Sequence, residues 1–262
     1  MRQASGFRMR VRSLFRRIFY LLLDRLGIRR LREHSFFAIL LARPAAVADF
    51  GAHRGEFLAA FTSEHPISRA LLVEADPALA ESLKKRFGDK IDIVHAAVIG
   101  ETKKGPVRFT RSIEPESSSI FREWSAAHGI ADEVTVPTLE FSDAVNRLGE
   151  RIDLIKMDVE GAEIGILENA SASDLASCYQ LTVEFHDKRP PFTRRDVDRV
   201  CRRMRAEGYG IVMANWPRVD DVLFVNLKSV PAVKRMALRC RVAVVNALFI
   251  ARRTIFGSGY SS

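Results

Sequence analysis

The sequence predicts an α/β protein built on a mostly parallel sheet of seven strands with helices on both faces. Three observations carry this expectation. From residue 45 onward, short apolar runs alternate with stretches of helical periodicity, the pattern of parallel strands joined by crossover helices. The runs AAVADF, ALLVE and IDLIKM are apolar through most of their length, as buried strands are. The last two strands, 210–214 and 222–226, lie close together across a turn with Pro217 and Asp220-Asp221, so the sheet closes on a hairpin-like end.

The elements follow in order. Residues 7–26 place Phe7, Val11, Leu14, Ile18 and Leu22 at three- to four-residue spacing, with Arg8, Arg10, Arg12, Arg16 and Arg17 largely elsewhere around the helix. A second helix is expected over 36–42, stopped before Pro44. Strands are expected at 45–50, 70–74 and 91–98, with helices at 56–63 and 77–87. Asp76 is the N-cap of the latter and Pro77 opens its first turn. The polar stretch 100–119 contains a short strand at 107–110 and the serine run Ser117–Ser119, and 133–137 reads as another short strand. Helix 141–148, strand 152–157, helix 160–168, strand 179–185 and helix 194–207 lead to the final pair. Residues 228–262 form a second basic helix, with an apolar stripe of Val233, Ala237, Cys240, Val244, Leu248, Ala251 and Ile255. No interior linker is visible. The chain therefore divides into a basic amphipathic extension 1–44, one domain 45–227 and a basic amphipathic extension 228–262.

Charge sharpens this division. The net charge is +9; residues 1–34 carry +8 and residues 228–262 carry +7, which leaves −6 for residues 35–227. A mildly acidic centre argues against nucleic acid as a partner, while the two ends suit an anionic membrane surface. No apolar run is long enough to span a bilayer, and no small-residue cleavage site follows the short run Ile18–Leu23. Cys178, Cys201 and Cys240 form no CxxC pair or zinc spacing, so reduced thiols, a cytoplasmic location and attachment to the inner face of a membrane are expected.

The chemistry begins at VADFGAHRGEF, residues 47–57. An apolar strand ends in Asp49, then Gly51 and Gly55 precede a helix, and a glycine turn there lets backbone N–H groups approach a ligand. Glu74 ends the second strand, where a carboxylate accepts hydrogen bonds from ribose hydroxyls. The full G-x-G-x-x-G and the G-x-x-x-x-G-K-[ST] are both absent, which disfavours a nicotinamide dinucleotide or a nucleoside triphosphate. Asp49 would repel phosphate and suit an ammonium group. Ribose plus an amino-acid cation describes S-adenosyl-L-methionine.

A second constellation lies in IKMDVEGAE, residues 155–163. Lys156 sits inside an apolar strand, and Asp158, Glu160 and Glu163 crowd the strand end and the helix start. Glu184 and His186 end the neighbouring strand. Asp158, Glu160, Glu184 and His186 form one acidic rim with an imidazole, able to position an acceptor hydroxyl, deprotonate it or hold a divalent cation. Asp158 and His186 are the base candidates; Glu160 and Glu184 are orienting or metal-holding groups.

The series VADFGAHRG, LLVEADP, the serine-rich loop, IDLIKMDVEGAE and LTVEFH resembles the FkbM family of S-adenosylmethionine-dependent methyltransferases over roughly 47–186. The resemblance implies a Rossmann-like class I methyltransferase fold and O-methylation of sugar, glycan or natural-product hydroxyls. It implies cofactor contacts from Asp49, Gly51, Ala52, His53, Gly55, Glu74 and Ala75, with Asp158, Glu160 and Glu163 at the active-site edge. His53 departs from the pattern, which usually has Asn there. The rival reading outside enzymes is a membrane-peripheral binding or scaffold protein on an inactive fold of this kind.

Overall fold

The computed structural model describes residues 17–100, 105–187, 191–214 and 220–256. In chain order these form α1 (17–25), β1 (Ile28–Leu31), β2 (His34–Phe37), β3 (Ala45–Phe50), α2 (Glu56–Glu64), β4 (Ile67–Glu74), α3 (Pro77–Phe87), β5 (Asp92–His95), β6 (Ala97–Ile99), β7 (Val107–Ser112), α4 (Arg122–Ala126), β8 (Ile130–Val136), β9 (Thr138–Glu140), α5 (Phe141–Leu148), β10 (Leu154–Met157), α6 (Glu163–Asn169), α7 (Ala172–Ser177), β11 (Gln180–Val183), α8 (Arg194–Ala206), β12 (Tyr209–Met213), β13 (Val222–Asn226) and α9 (Ala232–Phe256).

Seven strands form the central sheet in the order β12-β13-β11-β10-β3-β4-β5. The sheet is mixed, which corrects the expected mostly parallel one. β11, β10, β3, β4 and β5 run parallel, and β13 runs antiparallel to both β11 and β12. The reason is the length of the connection between Met213 and Val222, which is too short for the crossover that parallel neighbours need. The sequence changes direction at β3, with β4 on one side and β10 on the other, so the topological switch point lies between β3 and β10.

All six residues of β3 are buried, as a central parallel strand requires. Ala48, Phe50, Ile155 and Met157 face one apolar core with α5, α6 and α8. Val47, Leu72 and Leu154 face the other, with α2 and Phe36. On that second face the strand register sets Lys156 beside Asp49 on one side and Thr182 on the other.

Residues 36–42 are not the expected helix. β1 and β2 pair as an antiparallel hairpin, and a single 3-10 turn, Ala38–Leu40, follows. Phe36 and Phe37 are both fully buried, one on each side of the strand. A short apolar run does not by itself separate helix from strand. Two polar clamps hold the hairpin on the sheet. The Gln180 side chain accepts from Phe37 N–H at 2.7 Å and donates to Phe37 C=O at 3.1 Å. The buried Asp221 carboxylate accepts from the Ser35 N–H and hydroxyl at 3.1 and 2.7 Å, with Arg30 at 3.3 Å.

Three further boundaries differ. The expected strand 91–98 splits at Ala96 into β5, on the central sheet, and β6, which pairs with β9. The short strands at 107–110 and 133–137 are parts of a longer antiparallel pair, β7–β8. Helix α6 begins at Glu163 rather than 160, because Glu160 and Gly161 take left-handed backbone with φ 55° and 110°.

The described part of the N-terminal helix, α1, packs Phe19 and Leu23 against Ile28, Phe37 and α9 in one apolar cluster; residues 7–16 of the expected helix lie outside the described residues. α9 buries Leu238, Val242, Val245 and Phe249. Its Asn246 amide pairs with the open edge of β12, accepting from Met213 N–H and donating to Ile211 C=O. The stripe read from the sequence faces mostly outward instead: Val233, Ala237, Cys240, Val244 and Ala251 are exposed, Leu248 is half-buried against the apolar cluster, and the Ile255 side chain lies outside the described residues. No helix among the described residues is long and apolar enough to cross a membrane.

Burial pushes the Asp221 carboxyl up to about 6, and Arg30 and Ser35 oppose that rise. A carboxyl raised in the fold contributes stability that is complete below its unfolded value and lost as pH rises through about 6. Asp221→Asn carries no such loss. Its melting temperature relative to the parent should therefore improve between pH 4 and pH 7, measured by thermal unfolding at both.

Candidate active site

The carboxyl ends of β3, β4, β10 and β11 open onto one cavity of about 370 Å³. Open α/β sheets bind ligands there, at the switch point. Each wall can be built from its residues.

After β3 the chain turns at Gly51, φ 72°. A Cβ there would lie 1.8 Å from the Asp158 carbonyl oxygen, so Gly51 is required by close packing against the loop after β10. A Cβ on Gly55 would strike Phe87 and Leu83 of α3. Both glycines thus serve packing within the protein. His53 has φ 49°, and its N–H donates to Glu74 Oε2 at 2.7 Å. Asn, Asp and His are the side chains that best tolerate left-handed backbone, so His53 meets the same conformational demand as the Asn usual in the pattern. Its Nε2 is buried without a hydrogen-bond partner.

Glu74 ends β4 and is buried. Its Oε1 accepts from Asp76 N–H at 2.8 Å, and each oxygen keeps a second lone pair. Burial raises its carboxyl above the ordinary range, and the hydrogen bonds from Asp76 and His53 oppose that rise.

Lys156 joins the two halves of the site. Its Nζ donates to the Gly51 carbonyl at 2.6 Å and lies 3.2 Å from Asp49 Oδ1 and 3.5 Å from Asp158 Oδ2. Burial works to lower the ammonium, but Asp49 and Asp158 more than offset it and hold the group above its ordinary value. Asp158 is pulled down from the value burial alone would give, chiefly by Lys156 and His186.

Beyond Asp158 lies a network around Glu163. That carboxylate is fully buried and accepts from Val159 N–H, from Gly161 N–H and from His186 Nδ1, the last at 2.9 Å. It shapes the loop instead of standing at the rim. His186 Nε2 is 3.3 Å from Glu160 Oε2 and 3.8 Å from Asp158 Oδ1. Burial would lower this imidazole, yet Glu163, Glu160 and Asp158 carry it up to about 10, so it stays cationic near neutral pH. Burial and neighbouring carboxylates push Glu160 and Glu184 each up to about 8. Glu160 is fixed from the β7–β8 side, where Trp124 Nε1 donates to its Oε2 at 2.7 Å and the Ser119 hydroxyl donates to its carbonyl at 2.5 Å.

The cavity wall therefore includes Gly51, Ala52, His53, Glu74 and Ala75 at one end and Asp158, Glu160 and Glu184 at the other. Asp49, Gly55 and His186 stand behind it. Three residues outside the expected set take part. Lys156 was visible as a charge inside an apolar strand. Trp124 and His34 had no such signal. His34 comes from the hairpin, lines the cavity and is 4% exposed, and burial together with Lys156 holds its imidazole down at about 3.

This geometry is that of a methyltransferase site at the switch point of a mixed α/β sheet. Residues 49–211, more than half of the chain, match the Methyltransferase FkbM domain, and the chain belongs to that family. The matched domain is a methyltransferase domain, a class whose usual methyl donor is S-adenosyl-L-methionine. A 68-residue stretch is 37% identical to the AMB antimetabolite synthetase AmbE of Pseudomonas aeruginosa; it covers 26% of this chain and spans only 3% of that protein. Among solved structures, methyltransferase FkbM of Methylobacillus flagellatus is 17% identical, with 72% of this chain and 46% of that chain covered and a TM-score of 0.46. CalS10 of Micromonospora echinaspora, an amino pentose methyltransferase of calicheamicin biosynthesis, is 12% identical, with 86% and 97% covered and a TM-score of 0.40.

The residues present fit the cofactor. Glu74 offers two carboxylate oxygens with spare lone pairs, and His53 Nε2 is an unpaired polar atom buried beside them.

Removing Lys156 leaves Asp49 buried without a counter-charge. Lys156→Met should cost about 3–5 kcal/mol in urea unfolding. Adding Asp49→Asn to that variant should recover a substantial part, because the more deeply buried of the two carboxylates that Lys156 meets is then neutral.

Proposed function

We propose that the protein transfers a methyl group to a hydroxyl of a sugar, glycan or natural-product acceptor. The observation that supports this best is the pairing of Glu74 and a carboxylate–imidazole network across one cavity, a nucleoside-type contact facing proton-accepting groups. The cofactor supplies an electrophilic methyl on a sulfonium. Glu74 holds the ribose and fixes its distance from the far wall, with Gly51, Ala52, His53 and Ala75 lining that end. Asp49 and Gly55 act behind the wall, through Lys156 and through packing on α3.

At the far end Glu160, which ionises as pH rises through about 8, takes the acceptor proton in its carboxylate form. It lines the cavity, whereas His186 does not, and the Asp158 carboxylate is already engaged by Lys156. His186 positions Glu160 from behind and is itself oriented by Glu163, and Trp124 fixes the same carboxylate from the other side. Glu184 orients the acceptor. Alignment of the two substrates carries much of the remaining rate enhancement.

Two substitutions separate these roles. Glu74→Ala should weaken cofactor binding about a hundredfold by calorimetry, the loss of two charge-assisted hydrogen bonds. Glu160→Gln should bind cofactor normally and lose about a hundredfold or more in turnover. Mass spectrometry of glycans and small metabolites with and without the gene should reveal one species lighter by a methylene without it; no such difference would overturn hydroxyl methylation.

A specific observation also supports contact with an anionic bilayer. On α9, exposed Val233, Met236, Val244 and Ile250 lie outward between Lys234 and Arg239, and residues 228–262 hold no acid. On α1, Leu21 and Leu22 are exposed as well. We propose that the outward faces of these end segments rest on the membrane while their inner faces pack on the domain. The protein should sediment with phosphatidylserine-containing vesicles more than with neutral ones, and Met236→Glu/Val244→Glu should abolish the difference.

A further inference from the structure

We propose that His34, Asp158 and Glu184 bind one divalent transition-metal ion at the acceptor end of the cavity. One ligating atom from each lies within 4.8 Å of those of the other two. Ligands about 2.0–2.2 Å from one ion stand up to about 4.4 Å apart, so small side-chain rotations complete the site.

The independent observation is His34. It is 4% exposed, yet among the described residues its side chain has one hydrogen-bond partner, the Thr182 hydroxyl, at Nδ1 and at the 3.5 Å limit. In the tautomer that donates Nδ1–H to Thr182, the Nε2 lone pair is left for the cavity that His34, Asp158 and Glu184 line together. A metal-bound histidine has this arrangement, one nitrogen on the ion and the other donating to a fixed acceptor. The ring is held from both sides in the chain. Ser35 is clamped to Asp221 and Phe37 to Gln180, so the backbone that carries the imidazole is fixed on the sheet. Asp158 adds a second unsatisfied atom. Lys156 approaches its Oδ2, while Oδ1 is buried without a hydrogen bond.

Asp158 is also close to Glu160 and His186 in a second cluster. There both imidazole nitrogens face carboxylates, Glu163 at Nδ1 and Glu160 at Nε2, which leaves no lone pair for an ion. The His34 group is the one with an uncommitted nitrogen. One imidazole with two carboxylates suits Mn²⁺, Fe²⁺ or Zn²⁺ better than Mg²⁺ or Ca²⁺, whose sites are built from oxygen.

His34 lies outside the stretch 49–211 that matches the family model, so this site belongs to the hairpin this chain carries. Binding of the ion stands by itself; its role rests on the hydroxyl-methylation reading. In that role the acceptor oxygen becomes a further ligand, and the ion favours loss of the hydroxyl proton to Glu160. The oxygen then forms its bond to the methyl carbon as the carbon–sulfur bond breaks and its electron pair returns to sulfur. Acceptors with a second oxygen next to the hydroxyl are preferred, because they chelate.

The test uses the full chain, freed of metal by a chelator, with neither cofactor nor acceptor present. Mn²⁺ is titrated in by calorimetry, with electron paramagnetic resonance of the free ion as a second readout. One ion per chain is expected. His34→Gln, which keeps the side-chain volume, and Glu184→Gln, at a partly exposed position, should each weaken binding about tenfold or more with the melting transition retained. His186→Ala, which removes a neighbouring charge but no ligand, should change Mn²⁺ affinity less than either of those variants. Absence of binding to the unaltered protein, or full affinity in both the His34 and Glu184 variants, overturns the site. So does a loss confined to His186→Ala, which would move the ion to the second cluster. None of these results touches the methyl-transfer reading, since no cofactor is present.

Discussion

The ammonium of Lys156 is the point on which the rest of the site depends. It lies in a central parallel strand, where a charge is costly unless it is paired and hydrogen-bonded. Three oxygens meet that need: the Gly51 carbonyl, Asp49 and Asp158. Each belongs to a different part of the site. Gly51 is the turn after β3, Asp49 lies inside β3 itself, and Asp158 opens the loop after β10. A single buried cation therefore sets the distance between the two halves of the cavity. The absence of a Cβ on Gly51 completes the arrangement, because the Asp158 carbonyl occupies the space that a side chain would need.

A second layer supports the first. Glu163, buried and accepting from two backbone N–H groups, shapes the turn that carries Glu160 in left-handed backbone. The same carboxylate orients His186, which faces Glu160. Trp124 reaches Glu160 from a different part of the chain altogether. The Glu160 carboxylate is thus held by its own loop, by the segment after β11 and by α4. Such redundancy fits a group that must keep one position while substrates come and go.

The ends of the chain have a structural role beside any surface they present. α1, the hairpin and α9 share an apolar cluster with β12 and β13, and Asn246 closes the exposed sheet edge. α9 is apolar on two sides. The inner stripe packs on the sheet and the outer one faces solvent. Periodicity shows that a helix has an apolar face, but it does not say which of two such faces meets the core, and here the stripe chosen from the sequence is the outer one.

The family and its cofactor were legible from the order of a few local motifs. Strand ends, glycine turns and a run of acids after an apolar strand are short-range features, and short-range sterics and charge fix their meaning. Glu74, Asp158, Glu160 and Glu184 could be picked out in this way, because each sits at or just after the end of a strand whose direction the pattern already predicts. Other facts were decided only when the chain closed on itself. Asp49 and His186 stand behind the cavity wall because neighbouring strands and α6 supply their partners. His53 is acceptable because its backbone is left-handed, a property visible only in three dimensions. His34 enters the site because Asp221 and Gln180, remote in sequence, clamp its hairpin across β11. The sequence by itself determined the motifs and the sheet's parallel core. The tertiary structure decided which charges face the cavity and which are held in reserve, since burial and pairing depend on neighbours that local sequence does not name.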